Sequence, residues 1–224
     1  MSYSKVLGHD DTSGFEFVKR TLGNNVTAAV NFDRLQKDPQ IGYIIFEFLK
    51  CEENQTVTPY TSHPNRYWDK NASKFLSLWR AKQDFDATLY LVNYADENTK
   101  YGDQILVIEV KEMDENGIID EVQEEHTMES FSKWFIELNN RCLKPKEELV
   151  YEIYEKKPVN ELGKIKLRKG KHANESIETI YRTDLGYLEW HSRTEYEYSK
   201  AVLCYLNKIS EIMRNSNNNN SKGN

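Results

Sequence analysis

The chain has 224 residues, a formal net charge of −6 and a hydrophobic content of 38%, enough for one large domain or for a domain with a small appendage. No apolar run approaches the length of a membrane span, and the N-terminus lacks the apolar segment of a signal peptide, so we expect neither a membrane partner nor secretion. Three widely spaced cysteines and five histidines show no metal-ligand spacing, which argues against a zinc site and predicts the reduced cysteines of a cytoplasmic protein.

The first part of the chain predicts a mixed α/β order, in which a helix separates two pairs of strands. Alternating and β-branched apolar residues indicate the strands, and apolar residues at helical spacing indicate the helices. We expect Asp69 to cap the central helix and Asp114–Glu125 to be mostly loop. The predicted elements in chain order are helix Ser13–Leu22, strands Val26–Leu35 and Ile41–Cys51, a helix that buries Phe75, Leu78 and Trp79, strands Ala87–Tyr94 and Gln104–Val110, and helix Met128–Asn139.

The second part predicts a smaller unit. Pro145 and Pro158 flank a segment that includes a predicted strand at 149–154. A final helix over 195–213 carries an apolar stripe, which is typical of core or of a homo-oligomer interface. The asparagine-rich end predicts a disordered tail. The sequence therefore predicts an α/β domain over residues 1–144, a small α+β module over residues 145–214, and a tail over residues 215–224.

Charge separates the same two parts of the chain. Residues 1–144 hold 16 basic and 24 acidic residues, whereas residues 145–224 hold 14 basic and 12 acidic residues. The acidic part is a poor general binder of nucleic acid, while the second part can contribute attraction. An acidic balance is compatible with a metal-dependent nuclease, because the site of such an enzyme is itself made of carboxylates.

A compact basic segment opens the stretch from Gly163 to Trp190. Five of its first nine residues are basic, and such a loop suits a phosphate backbone because each neutralised phosphate releases counterions. The alternative is a solvated basic hairpin, the usual role of a charge run. We assign phosphate contacts to Lys164, Lys166, Lys169 and Lys171.

This stretch resembles the C-terminal module of exodeoxyribonuclease X-like proteins, which has a GK-x-KGK basic turn, a short helix and a DPxYLxW motif. Leu185 replaces the proline of that motif, and Ile165 stands where an aromatic residue or histidine is usual. The resemblance implies an auxiliary module associated with nucleic acid rather than a catalytic centre. The matching residues are Gly163, Lys164, Lys169, Gly170, Lys171, Ile177, Ile180, Asp184, Tyr187, Leu188 and Trp190.

Four residues of the first part are similar in order to the PD-(D/E)xK nuclease superfamily: Glu16, Asp33, Glu47 and Lys50. The resemblance implies a restriction-endonuclease-like fold in which Asp33 and Glu47 bind Mg²⁺, with Mn²⁺ as the alternative. Glu16 would assist, and Lys50 would lie near the attacking water. Oxygen ligands suit Mg²⁺, and the metal activates water and neutralises phosphate charge. Glu47 also lies in the apolar run YIIFEFL, where an unpaired carboxylate is costly.

The spacing of Glu47 and Lys50 departs from the family pattern, as does Phe32 in place of the proline before Asp33. In a flat strand residues i and i+2 share a face, so Lys50 would point away from Glu47. A bulge after Glu47 would repair the spacing. Alternatively, the lysine comes from the next helix, where Lys70 and Lys74 are the nearest candidates.

A competing pair, Glu109 and Lys111, has the expected two-residue spacing, with Asp96 or Asp103 before it. The order of elements around it fits the family less well, and both residues end a strand where solvent is close.

A second polar cluster, Thr61–Trp68, contains His63 and Arg66. Both side chains are candidates for phosphate contacts, because loops often carry function. A His-Pro turn packed by aromatic neighbours is the structural alternative and the one we favour.

The sequence thus predicts a Mg²⁺-dependent nuclease acting on nucleic acid, with DNA as the expected substrate. The alternative is a non-catalytic protein that binds nucleic acid or another protein on a degenerate nuclease scaffold. The spacing of Glu47 and Lys50 is the feature that favours this second interpretation.

Overall fold

The structure is a computed structural model that describes residues 13–25, 27, 29–52 and 56–220. The chain divides into two compact units, one within Leu7–Leu143 and the other within Lys144–Asn224. Among the described helices, none combines the length and the apolar character needed to cross a membrane. The elements of the first unit are α1 (Ser13–Leu22), β1 (Arg34–Asp38), β2 (Gly42–Lys50), a 3-10 turn (Pro64–Tyr67), α2 (Trp68–Asp84), β3 (Thr88–Tyr94), β4 (Ile105–Asp114), β5 (Gly117–His126) and α3 (Met128–Cys142).

The first unit is built on a five-stranded sheet in the order β1-β2-β3-β4-β5. β2 and β3 are parallel, and α2 is the crossover between them. The other neighbouring strands are antiparallel. This mixed sheet with helices confirms the predicted α/β class.

The sheet buries apolar residues on both faces, which explains the long hydrophobic runs of β2, β3 and β4. Residues of α2 pack on one face and residues of α3 on the other. A capping box between Thr127 and Ser130 fixes the start of α3. The face under α2 includes Ile45, Leu89, Leu91 and Ile108 with Phe75 and Leu78 of the helix, and the opposite face includes Ile44, Phe46, Val92 and Val107 with Phe131 and Leu138.

The first strand begins later than its sequence predicts. Residues 29–33 lie outside any strand, and Val26 is not among the described residues. β1 starts at Arg34, whose partner in β2 is Phe46. Asp33 therefore precedes the strand, and its carboxylate accepts a hydrogen bond from the Phe48 amide at 2.7 Å. That bond satisfies a β2 amide beyond the end of β1.

The prediction of a loop over the acidic segment is wrong, because residues 117–126 form β5. Asp114 Oδ1 accepts hydrogen bonds from the amides of Asn116 and Gly117 and so closes a hairpin between β4 and β5. Asn-Gly between two strands is a strong hairpin signal, and charged side chains are common on an edge strand because they discourage pairing with other chains.

Asp69 is not the cap of α2. The helix begins at Trp68, Tyr67 occupies the N-cap position without a side-chain hydrogen bond, and Asp69 lies in the first turn. Trp68 is buried and donates from its indole to the Glu115 carbonyl at 2.9 Å. The buried indole, rather than a polar cap, sets the start of the helix.

The second unit is helical, so the predicted α+β module is wrong. Its one described strand pairing is an isolated bridge between Lys166 and Ser176. The segment 149–154 is helical because Tyr151 and Tyr154, three residues apart, pack on the same core. The predicted tail is helical through Asn220, and residues 221–224 lie outside the described part. The helices are α4 (Lys146–Glu155), α5 (Val159–Gly163), α6 (Ile177–Thr183), α7 (Leu185–Ser192) and α8 (Ser199–Asn220).

Candidate functional site

Glu47 is a carboxylate in the centre of the sheet of the first unit. It lies between Ile45 and Leu49 on the β2 face that packs against α2, opposite Leu91 of β3. Only 4% of its surface is exposed. A carboxylate in such a position is retained only with a partner, because burial of an unpaired charge is costly.

That partner is Lys74, which forms an ion pair with Glu47 Oε1. Lys74 stands on α2 directly before Phe75, whose side chain is buried in the core. Because the apolar side of α2 packs on the sheet, the ammonium group of Lys74 lies beside β2. The Lys74 side chain remains 43% exposed, so this ion pair connects a buried carboxylate with solvent.

Asp33 is the second carboxylate of the site. Burial raises the pKa of Glu47, and the negative charge of Asp33 raises it further. The hydrogen bond and charge of Lys74 oppose the rise without cancelling it. Asp33 is thus close enough to Glu47 for its charge to affect the pKa of Glu47.

Lys50 does not reach Glu47. The pairing of β2 with β3 runs without a register shift from Ile44 to Lys50, so no bulge turns Lys50 toward the α2 face. Its ammonium group instead pairs with Asp96 at 2.9 Å and with Glu52 at 3.7 Å. The lysine beside Glu47 is Lys74, one of the two alternatives on the next helix.

Glu16 is exposed on α1. Within the part of the chain that the structure describes, no hydrogen bond or ion pair joins it to Asp33 or Glu47. In the competing set, Asp96 pairs with Lys50 rather than with the Glu109 and Lys111 pair. Glu109 pairs with Lys111, and Asp103 accepts from the Met128 amide at 3.0 Å.

A cavity of about 640 Å³ opens beside the ion pair. We call it the Glu47 cavity, after the carboxylate to which Lys74, one of its lining residues, is bound. Among the described residues its lining includes three basic side chains and no acidic one. Lys50 and Lys74 pair with Asp96 and Glu47, whereas Arg66 forms no ion pair within the described part of the chain. An anionic ligand therefore suits the cavity. The polar lining residues are Lys50, Thr56, Ser62, Arg66, Tyr67, Asn71 and Lys74.

His63 does not line this cavity, whereas Arg66 does. The Nδ1 atom of His63 accepts from the Asn65 amide at 3.2 Å, and its Nε2 lies 2.8 Å from Glu121 Oε2. Because Nδ1 accepts a hydrogen bond, the Nε2–H group is the donor to the Glu121 carboxylate. His63 holds the 3-10 turn against β5, while Arg66 keeps an exposed guanidinium at the cavity.

The site offers two carboxylates to a metal ion. Among the described residues no group of three or more His, Cys, Asp and Glu side chains is placed to hold a metal. Mg²⁺ is commonly bound through one or two carboxylates, with waters and substrate phosphates at the other positions. Asp33 and Glu47 supply the type and number of carboxylates that this pattern requires.

The second unit holds the basic loop, residues 164–171. All five of its basic side chains are exposed. Lys171 forms an ion pair with Asp184 at 2.7 Å, and Asp184 also accepts from His172 at 3.1 Å and caps α7 at the Tyr187 amide. The Lys171 and His172 bonds lower the pKa of Asp184 to about 2. One of the four predicted phosphate-binding lysines is thus engaged within the unit.

The final helix has two different halves. Ala201, Val202 and Tyr205 are buried in the core of the second unit, whereas Ile212 and Met213 are about half exposed. The first half of the predicted stripe is therefore core. A homo-oligomer through this helix stays a prediction.

Two exposed aromatic residues stand out in the second unit: Trp190, which the sequence analysis named only as part of a motif, and Tyr196, which it did not select. Trp190 and Tyr196 are 51% and 61% exposed, and their ring centroids are 5.7 Å apart. The two residues are six positions apart, a spacing that does not place side chains on one face of a helix. The turn after α7 brings the two rings together.

Comparisons with known proteins add no identification. No family model matches the chain, and neither the curated proteins nor the solved structures contain a match.

Proposed function

We propose that the first unit is a metal-dependent nuclease that hydrolyses phosphodiester bonds in nucleic acid. The observation that supports this most is the ion pair between buried Glu47 and Lys74, beside Asp33 and next to a cationic cavity. A buried carboxylate whose pKa is raised by burial, and whose charge partner lines a cavity, is a candidate for a site of chemistry.

Asp33 and Glu47 are the residues that would hold Mg²⁺ or Mn²⁺. The metal supplies activation of water and neutralisation of charge on the phosphate. Lys74 keeps Glu47 ionised in its apolar surroundings and presents an ammonium group to the cavity. Arg66 and Asn71 line the same cavity and bind the phosphate backbone. Lys164, Lys166 and Lys169 of the basic loop contribute further phosphate contacts, and DNA is the expected substrate.

A second candidate is a non-catalytic binding protein. It is favoured by the neutral Glu47–Lys74 pair and by the absence of a third carboxylate near Asp33 and Glu47 among the described residues. The same cationic cavity would then bind a phosphate without cleaving it.

Cleavage of labelled single-stranded and double-stranded DNA and RNA, with Mg²⁺, Mn²⁺ or EDTA, tests the proposal. We expect cleavage that requires metal and that falls by roughly a hundredfold or more in Glu47→Gln. The matched control is Glu109→Gln, which removes another lysine-paired strand carboxylate and should leave the rate unchanged. An absence of metal-dependent cleavage in the wild type, or full activity in Glu47→Gln, would refute the proposal.

A further inference from the structure

The second unit contains its own cavity, of about 430 Å³. We call it the aromatic cavity. Residues 167–171 of the basic loop form one side, and α7 with the turn after it forms the other. Unlike the Glu47 cavity, this one is lined mostly by apolar surface, to which Tyr187, Trp190 and Tyr196 contribute rings.

The aromatic rings have different roles. Tyr187 is partly buried against the core of the unit and packs edge-on against His172 at 4.7 Å. Trp190 and Tyr196 are not part of that core, and more than half of each side chain is exposed. The core therefore needs Tyr187, but it leaves the faces of Trp190 and Tyr196 available to a ligand.

The charges around the aromatic cavity are mainly positive. Arg168 pairs with Glu197 at 3.2 Å, and Lys171 pairs with Asp184. Lys169 makes no ion pair among the described residues. A cation without an ion-pair partner among those residues, at the edge of an aromatic surface, suits a ligand that is both aromatic and anionic. A nucleotide has this combination in one unit, because every base has a π face and every link carries a phosphate.

We propose that the aromatic cavity binds an unpaired base of single-stranded nucleic acid, which stacks on Trp190 beside Tyr196 while an adjacent phosphate contacts Lys169. A base within a duplex is stacked on its neighbours and does not offer a free face, so the site selects single strands. The proposal rests on the proposed function in one respect, namely that nucleic acid is the partner of this protein.

The test is fluorescence anisotropy of labelled ten-nucleotide oligomers with the full chain in EDTA, which stops metal-dependent cleavage. The oligomers are dT10, rU10, an abasic strand with the same phosphates, and a ten-base-pair duplex. We expect dT10 or rU10 to bind at least roughly fivefold more tightly than the abasic strand, since stacking of one base contributes a factor of roughly 5 to 150. The comparison of dT10 with rU10 shows whether DNA or RNA is the source of the base.

Trp190→Leu keeps an apolar side chain but removes the stacking surface, and it should abolish the preference for dT10 or rU10 over the abasic strand. Ile153→Ala, a change at a residue of the same unit that is 60% exposed and outside the cavity, is the control. A second readout is tryptophan emission, which the oligomer should quench in the wild type and less in Trp190→Phe. Trp190→Phe is the more conservative change and allows the test to be made if Trp190→Leu does not fold.

Equal binding of dT10, rU10 and the abasic strand would overturn the proposal, as would no binding at all or an unchanged preference in Trp190→Leu. Binding in EDTA is independent of catalysis. Base-dependent binding without any cleavage would refute the nuclease proposal alone, and cleavage without base-dependent binding would refute only the assignment of the aromatic cavity.

Discussion

Glu47 and Lys74 form a pair in which one partner is buried and the other reaches solvent. Burial raises the pKa of Glu47, and Lys74 counteracts that effect. The exposure of Lys74 limits the cost of the pair, because only one of its two charges is fully removed from water. In the proposed function, Glu47 would exchange this partner for a metal ion.

The identity of this lysine was only partly predictable from the sequence. The two-residue period of a strand indicated that Lys50 points away from Glu47. It left Lys70 and Lys74 of the next helix as candidates for the lysine beside Glu47. Choosing between them requires the rotation of α2 on the sheet. That rotation is set by the burial of Phe75 and Leu78, which places Lys74 over Glu47.

Asp184 provides a test of the second unit through pH. Its folded pKa of about 2 is below its ordinary value of 3.8. A carboxyl group whose pKa is lower in the folded state than in the unfolded state stabilises the fold at pH values above the unfolded pKa. It loses that contribution as the pH falls through the folded pKa. We therefore expect the wild type to lose thermal stability between pH 4 and pH 2, and Asp184→Asn to reduce this loss because asparagine still caps α7.

The control is Glu178→Gln, which removes an exposed carboxylate from a pair with Arg182 on α6. It should alter the acid dependence less than Asp184→Asn does. Melting temperatures measured at pH 7, 4, 3 and 2 give the comparison. Equal acid dependence in the wild type and in Asp184→Asn would contradict this role of Asp184.

At the scale of the elements, the sequence predicts buried segments better than exposed ones. The bounds of α1 are confirmed, and β2, β3 and α3 lie close to their predictions, because each has a strong apolar pattern. The predictions for the segments that form the acidic strand β5 and the helix α4 were wrong. In β5 the charges of an edge strand resemble those of a loop, and in α4 the aromatic residues carry β propensity that packing of Tyr151 and Tyr154 overrides.

Two glycines near the aromatic cavity should respond in opposite directions to alanine. Gly170 has a φ of +92°, and a Cβ there would lie 2.8 Å from the Tyr187 hydroxyl. Gly186 lies in α7, where a Cβ would have no atom closer than 3.9 Å. We expect Gly170→Ala to lower the free energy of unfolding by about 1 kcal/mol or more, and Gly186→Ala to raise it by roughly 0.5 to 1 kcal/mol.

Urea unfolding followed by circular dichroism measures both changes, and each glycine variant is the control for the other. Stabilisation by Gly170→Ala would show that the basic loop does not need its left-handed turn.

At the scale of the whole molecule, the sequence separates charge between the two parts of the chain. If the basic loop supplies the attraction to nucleic acid, binding should depend on salt in proportion to the lysines that contact phosphate. For single strands each contact contributes about −0.7 to the slope of log K against log salt. We expect replacement of the four loop lysines by glutamine to reduce the magnitude of this slope by about 3, or by less if Lys171 stays with Asp184.

The matched control replaces four exposed lysines of the first unit by glutamine and should leave the slope unchanged. Its residues are Lys19, Lys37, Lys100 and Lys133. Anisotropy titrations of dT10 in EDTA at several salt concentrations provide the slopes. An unchanged slope in the loop variant would place the phosphate contacts elsewhere.

The central claim is that the lysine of the site is Lys74 rather than Lys50, and the most direct measurement compares cleavage by Lys74→Met and Lys50→Met. With Mg²⁺ we expect Lys74→Met to lose roughly a hundredfold of the wild-type rate, and Lys50→Met, which removes the pair with Asp96, to retain most of it. If Lys74 acts by keeping Glu47 ionised, activity of Lys74→Met should recover as pH rises, because without Lys74 the pKa of Glu47 rises further. Full activity of Lys74→Met, or greater loss in Lys50→Met, would contradict the assignment.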